Sequence, residues 1–88
     1  MTMSIDRQSV VAALAKLSPD CHYDRWYRIA RAVYAALGDD GFALFDEWSS
    51  RSASKYPGTA SCRAQWEYSK RLERIGPGSL FYWASHDL

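Results

Sequence analysis

The acidic residues that could do chemistry in this chain are not spaced for catalysis or for metal binding. Asp46 and Glu47 are adjacent in a predicted helix, so their side chains diverge by about 100° and do not converge on one substrate atom. Asp39 and Asp40 precede Gly41, but the alternating acids and final glutamate of a calcium-binding loop are missing. We therefore predict that Asp46 and Glu47 form a solvated helix face. We predict that Asp39 or Asp40 caps a helix.

The histidines and the last residues do not have the pattern of a catalytic site either. His22 and His86 are far apart, and neither has a second histidine or a cysteine at ligand spacing, whereas a metal site needs three or four converging ligands. Ser85, His86 and Asp87 are consecutive residues near a chain end, where a triad would lack a rigid scaffold. The Gly76–Ser79 segment lacks the Lys-Ser/Thr ending of a phosphate loop. We predict no catalytic residue, no metal and no cofactor, and so no enzyme in the chain by itself.

Basic residues in the second half of the chain are the strongest candidates for binding. The net charge of the 88 residues is only +1, which excludes a strongly basic nucleic-acid binder but allows a local basic face. Cations on one surface would contact DNA phosphates, which supply most sequence-independent affinity. Tyr56 and Tyr68 lie nearby in sequence and could stack on unpaired bases. The candidate DNA-binding residues are Arg51, Lys55, Arg63, Lys70, Arg71 and Arg74.

An ordinary solvated helix face is the alternative interpretation of these cations. Most of them would project from one stripe of a predicted helix. Glu67 lies inside this stripe and can pair with Arg63 and Arg71, each four residues away. The sequence leaves both interpretations open.

Apolar residues recur at helical spacing along the chain, and no segment alternates for long in the two-residue period of a strand. Ser4 is expected to cap a first helix that ends near Pro19, because proline cannot continue the helical hydrogen bonds. Asp20 is expected to cap a second helix over about 21–37, and Gly38 to end it.

The second half is predicted to hold three more helices. The third begins after Asp39 or Asp40, the fourth covers about 60–73, and a short fifth follows the break at Gly76-Pro77-Gly78. The fold class is therefore all-α, a compact orthogonal bundle of about five short helices. We expect one domain over residues 1–88 with a core of about 10–85. The main expected core residues are Leu14, Trp26, Ile29, Val33, Leu37, Leu44, Phe45, Trp48, Cys62, Trp66, Leu72 and Leu80.

Composition also bears on location. Cys21 and Cys62 lack CxxC spacing and are expected to stay reduced. The longest aliphatic run, Val10–Ala15, is too short to cross a membrane, and no signal peptide is recognised. We expect a cytoplasmic protein without a membrane partner.

Aromatic and glycine motifs follow one another along the chain in a fixed order: Trp26, Gly41-Phe42, Asp46-Glu47-Trp48-Ser49, Tyr56, Trp66, Gly78-Ser79-Leu80-Phe81 and Ala84. This ordered set resembles the primase C-terminal domain family of the second type. The resemblance covers about Val10 to Ala84, nearly the whole chain. In place of an expected aliphatic residue, Pro77 precedes the closing Gly-Ser-Leu-Phe.

Members of that family are usually appended to primase-polymerases or helicases of phages and plasmids. The resemblance implies a non-catalytic module in replication initiation of a mobile element. From the basic residues we predict that this module holds single-stranded template DNA for a primase active site elsewhere. The alternative is a docking module that links primase to helicase through Tyr82, Trp83 and the acidic third helix, since tyrosine and tryptophan often anchor interfaces. The chain is read as a fragment, a truncated gene product or a separate subunit.

Overall fold

The computed structural model describes residues 7–52, 54–72, 75–76 and 78–86. Over these ranges the chain forms five α-helices and one short 3₁₀ turn. The elements are α1 (Arg7–Ala15), α2 (Tyr23–Leu37), the 3₁₀ turn (Gly38–Gly41), α3 (Phe42–Ser50), α4 (Thr59–Ser69) and α5 (Gly78–His86). The Cα radius of gyration is 12.0 Å, close to the ~12 Å of a compact chain of this length. The prediction of an all-α fold is confirmed.

Helix α2 has a different cap from the one predicted. The cap is His22, whose Nδ1 accepts a hydrogen bond from the backbone N–H of Asp24 at 3.3 Å. Asp20 instead accepts a hydrogen bond from the hydroxyl of Ser52, which ties the start of α2 to the loop before α4. The prediction for Asp20 was wrong because its carboxylate has this partner from a distant part of the chain. The predicted cap Ser4 lies outside the described residues.

The 3₁₀ turn makes the junction between α2 and α3. Gly38 ends α2 with φ of 66°, in the left-handed region that favours glycine, as predicted. Gly41 lies against α2 so closely that a Cβ there would be 2.7 Å from Cγ1 of Val33. The residue before α3 is Gly41, which offers no side-chain cap. The prediction that Asp39 or Asp40 caps α3 was therefore wrong, because both lie within the turn.

Three core tryptophans meet at one phenyl ring. The ring centroid of Phe45 lies 5.0 Å from that of Trp26 and 5.5 Å from that of Trp66. It lies 6.1 Å from the centroid of Trp48, whose Nε1 donates to the backbone carbonyl of Leu17 at 3.0 Å. These four aromatic side chains are buried, as predicted. Phe45 thus brings α2, α3 and α4 together.

Aliphatic residues complete the core around this cluster. Leu37, Leu44 and Leu72 were predicted to lie inside but are only partly buried, because each lies near or beyond a helix end where fewer neighbours cover it. Helix α4 also ends earlier than predicted, at Ser69. The fully buried members of the core include Val10, Ile29, Val33, Cys62 and Leu80.

No helix in the described part of the chain has the length and hydropathy needed to span a membrane.

Candidate nucleic-acid interface

Two of the predicted DNA-binding arginines are paired with carboxylates four residues away in the chain. Arg51 makes a bidentate contact with Glu47, and its Nη2 lies 2.9 Å from Oε2. Arg63 Nη2 lies 3.0 Å from Oε2 of Glu67, which confirms the predicted pair. The guanidinium of Arg63 also lies over the ring of Phe42, with its Cζ atom 4.8 Å from the ring centroid. A phosphate would have to compete with these carboxylates for both arginines.

Lys70 is held by two acids and is largely covered. Its Nζ lies 2.7 Å from Oδ1 of Asp39 and 3.1 Å from Oε1 of Glu67, and its side chain is only 20% exposed. Trp66 Nε1 donates to the same Asp39 oxygen at 3.2 Å. The hydrogen bonds from Lys70 and Trp66 lower the pKa of Asp39, and those to Asp39 and Glu67 raise the pKa of Lys70. Glu67 was predicted to pair with Arg63 and Arg71. Among the described residues its second partner is Lys70 instead of Arg71.

Lys55 and Arg71 are the members of the cluster that have no carboxylate partner among the described residues. Lys55 Nζ donates to the backbone carbonyls of Asp20 at 2.8 Å and Cys21 at 3.3 Å. Arg71 is exposed just beyond the end of α4. Arg74 lies outside the described residues. The described members of the predicted DNA-binding set thus form two groups: three cations paired with acids, and two cations without a contacting carboxylate in the described part of the chain.

A row of four aromatic rings crosses from α2 to α4. The ring centroids are 6.4 Å apart for Tyr23 and Trp26, 5.3 Å for Trp26 and Tyr27, and 6.0 Å for Tyr27 and Tyr68. Each pair has edge-to-face geometry. The hydroxyl of Tyr27 donates to Oε1 of Gln65 at 2.6 Å and fixes the middle of the row. Tyr23 is 65% exposed and Tyr68 is 50% exposed, so the two ends present ring surface to solvent. We call Tyr23, Trp26, Tyr27 and Tyr68 the aromatic row.

A cleft of about 190 Å³ shares its walls with the aromatic row. Trp26 is held in place there because its Nε1 donates to the buried hydroxyl oxygen of Ser49 at 2.9 Å. The polar lining includes Lys55, Ser61 and Gln65. We call this the aromatic cleft, and its aromatic walls are Tyr23, Trp26, Tyr27 and Tyr56.

Tyr56 was predicted to stack on bases, but its hydroxyl also has a structural part. It donates to Oδ1 of Asp46 at 2.7 Å, and Thr59 Oγ1 donates to Oδ2 of the same carboxylate at 3.0 Å. Asp46 was predicted to be solvated, and this was wrong, because it lies where α3 faces the first residue of α4 and is partly buried. Glu47 is exposed, as predicted.

The two predicted docking residues have different surroundings. Tyr82 is 61% exposed, and its ring stacks on that of His86 with centroids 4.3 Å apart. Trp83 is partly buried against the core, and the guanidinium of Arg25 lies 5.5 Å from its ring centroid. Of the two, Tyr82 presents the larger accessible surface to a partner.

The two thiols are poorly suited to nucleophilic chemistry. Burial raises the pKa of Cys62 to about 11, and it also raises the pKa of Cys21. Both thiols are therefore protonated near neutral pH, and a protonated thiol is a weak nucleophile. Nowhere in the described ranges do three or more metal-binding side chains converge.

Sequence reasoning missed Tyr23 and Tyr27 as candidate functional residues. They lie four residues apart on α2 and so share a face beside the apolar stripe that contains Trp26. That spacing of two tyrosines was a signal that could have found the aromatic row. The cleft had no such signal, because its walls come from α2, α4 and the loop between α3 and α4.

The chain belongs to the primase C-terminal 2 (PriCT-2) family, whose model matches residues 10–84. The resemblance seen in the aromatic and glycine motifs is thereby confirmed. Comparison with curated proteins and with solved structures gave no significant match. The aromatic row, the cleft and the acid-paired cations are thus features of a primase-associated helical domain.

Proposed function

We propose that this chain is a non-catalytic accessory domain of a phage- or plasmid-type DNA primase or primase-helicase, and that it contacts single-stranded template DNA during replication initiation. Membership of the PriCT-2 family supports the link to a primase. The observation that carries the DNA contact is the aromatic row with its two exposed ends. Tyr23 shares the cleft lining with Lys55, and Tyr68 lies one helical turn before Arg71.

This pairing of rings and cations suits single-stranded DNA. Unpaired bases stack on aromatic side chains with little dependence on sequence. Phosphates bind cations, and Lys55 and Arg71 need not give up a carboxylate to do so. Arg51, Arg63 and Lys70 would first have to break ion pairs, so they contribute less.

Primer synthesis, in this proposal, takes place on a separate domain or subunit in the cytoplasm. The protonated thiols of Cys21 and Cys62 support a non-catalytic role. Asp39 and Asp46 support it too, because their carboxylates accept structural hydrogen bonds.

The test is a titration of fluorescently labelled single-stranded DNA with the purified chain, followed by anisotropy at low and moderate salt. We expect salt-sensitive binding that Arg71→Glu weakens. Loss of one phosphate contact would make the slope of log affinity against log salt shallower by about 0.7. Arg7→Glu, at an exposed site on α1, is the matched control and should bind almost normally. The absence of binding at low salt and high protein concentration would overturn the proposal.

Protein docking is a second candidate function, favoured by the exposure of Tyr82 and its stack on His86. Exposed tyrosines often anchor protein interfaces. A docking role predicts that Tyr82→Ala abolishes capture of a primase or helicase subunit while DNA binding is unchanged. Arg71→Glu would then leave capture of that subunit intact.

A further inference from the structure

The aromatic cleft has the size of a site for one planar ring. Its volume is about 190 Å³, whereas clefts for drug-sized molecules measure roughly 300–1,000 Å³. A cavity of about 150 Å³ is enough to hold benzene. An extended chain or a helix of a partner would not fit inside, but one ring inserted edge-first would.

The lining of the cleft suits a ring that carries heteroatoms. Tyr23, Trp26 and Tyr27 supply apolar and π surface on the walls. Ser61 and Gln65 supply polar groups at the same site. Within the described residues the Ser61 hydroxyl and the amide N–H groups of Gln65 have no hydrogen-bond partner. They can therefore bind the polar edge of a heterocycle.

Lys55 adds a positive charge to this lining. Its ammonium contacts two backbone carbonyls but no carboxylate of the described chain. Lys70, by contrast, is neutralised by Asp39 and Glu67. The charge at Lys55 is complementary to a phosphate attached to the ring, which favours a nucleotide over the aromatic side chain of a protein partner.

We propose that the aromatic cleft binds one unpaired nucleobase of single-stranded DNA, with the adjoining phosphate at Lys55. This inference rests on the proposed function and assigns the base-binding site within it. The cleft is preorganised, because the Trp26 indole is fixed by Ser49 and the Tyr56 hydroxyl by Asp46.

The test uses the indole N–H signals of the ¹⁵N-labelled chain in NMR spectra. A thymidine tetranucleotide is compared with a tetramer of the same phosphate count that lacks bases. We expect the tetranucleotide to shift the Trp26 signal, while the abasic tetramer leaves it nearly unchanged. Trp48 and Trp66 are internal controls, since their indole N–H groups bond to Leu17 and Asp39 and lie outside the cleft lining.

Two exposed tyrosines provide a matched pair of variants. Tyr23→Ala should weaken binding of the tetranucleotide by roughly fivefold or more, the loss expected for one stacked base. Tyr82→Ala removes a ring of similar exposure on α5 and should leave the affinity unchanged. Because both side chains are exposed, neither change should unfold the chain.

The outcomes separate the cleft from the proposed function. If Arg71→Glu weakens DNA binding but the tetranucleotide leaves Trp26 unshifted and Tyr23→Ala has no effect, the cleft inference is overturned and the function stands. Thymidine monophosphate is titrated as well. A Trp26 shift with the mononucleotide, together with no binding of any oligonucleotide, would overturn both the DNA function and the assignment of the cleft to a DNA base, in favour of a site for a free nucleotide. A shift caused by N-acetyltyrosinamide but by no nucleotide would overturn the inference in favour of a protein partner.

Discussion

The Nζ atom of Lys70 lies 2.7 Å from Oδ1 of Asp39, although 31 residues separate the two in the chain. This contact joins the 3₁₀ turn after α2 to the end of α4. The same oxygen accepts the indole N–H of Trp66, so the ion pair is continuous with the core. Lys70 and its neighbour Arg71 therefore differ in role, one holding the fold and the other facing solvent.

Replacing Lys70 by glutamine should mainly lower stability, whereas replacing Arg71 by glutamine should mainly weaken DNA binding. Lys70→Gln should lower the thermal midpoint, because Asp39 and Glu67 lose their shared partner. Arg71→Gln should leave the midpoint nearly unchanged and weaken binding to single-stranded DNA. Circular dichroism gives the first quantity and fluorescence anisotropy the second. Equal losses of DNA affinity, measured where both variants are folded, would contradict the division of roles.

Stability should depend on the ionisation of Asp39. Its folded-state pKa is lowered, so its contribution is present above the unfolded value of about 3.9 and is lost as pH falls through the folded value. The pKa of Lys70 is raised, so its contribution is complete below about 10.4 and is lost as pH rises through the folded value.

Urea unfolding of wild type and Asp39→Asn from pH 7 to pH 2 checks the acid limb. The difference in midpoint should be largest near neutral pH and should shrink as pH falls below about 3.9. Asp40→Asn changes an exposed carboxylate in the same turn and serves as the control. A difference for Asp39→Asn that is constant across this range would show that ionisation is not its cause.

Removing the Ser49 hydroxyl should destabilise the chain, because this hydroxyl accepts the hydrogen bond that holds Trp26 in the wall of the aromatic cleft. Ser49→Ala leaves the buried indole N–H of Trp26 without its acceptor, which should cost about 1–3 kcal/mol in free energy of unfolding. Ser50→Ala at the next, exposed position should stay within about 0.5 kcal/mol of wild type. Chemical denaturation compares the two. If both variants lose the same amount, the Trp26 contact is not what stabilises this region.

A methyl group at Gly41 should disturb the packing of the 3₁₀ turn against α2 and lower stability. Gly41→Ala would place Cβ 2.7 Å from Cγ1 and 3.2 Å from the carbonyl oxygen of Val33, so the turn must shift. Overpacking of this kind costs about 1–3 kcal/mol. Gly76→Ala, where a Cβ meets nothing within 4 Å, is the control. An unchanged unfolding midpoint for Gly41→Ala would mean that the turn is not packed as described.

The helices and the aromatic core could be predicted because they follow from local periodicity. The stripe of α2 that contains Trp26 and Val33 needs no knowledge of the rest of the fold. The same holds for the pair of Arg63 and Glu67, which lie one turn apart on one helix.

Several of the errors concern polar side chains that bond to a distant partner in place of the expected local one. Asp20 and Asp39 looked like caps, yet their carboxylates bond to Ser52 and Lys70 from later segments. The aromatic cleft is of the same kind, since its walls come together only when α2 and α4 pack. Sequence patterns indicate which residues are close along the chain. These carboxylates and the cleft depend on residues that become close only in the folded structure, so the patterns could not predict them.

Three residues within one turn of α3 each bond to a different part of the molecule. Asp46 bonds to Tyr56 and to Thr59 at the start of α4, Trp48 to the carbonyl of Leu17, and Ser49 to the indole on α2. A rotation or shift of this nine-residue helix would strain all of these junctions at once. We therefore expect the elements that meet at α3 to melt together in one cooperative transition rather than helix by helix.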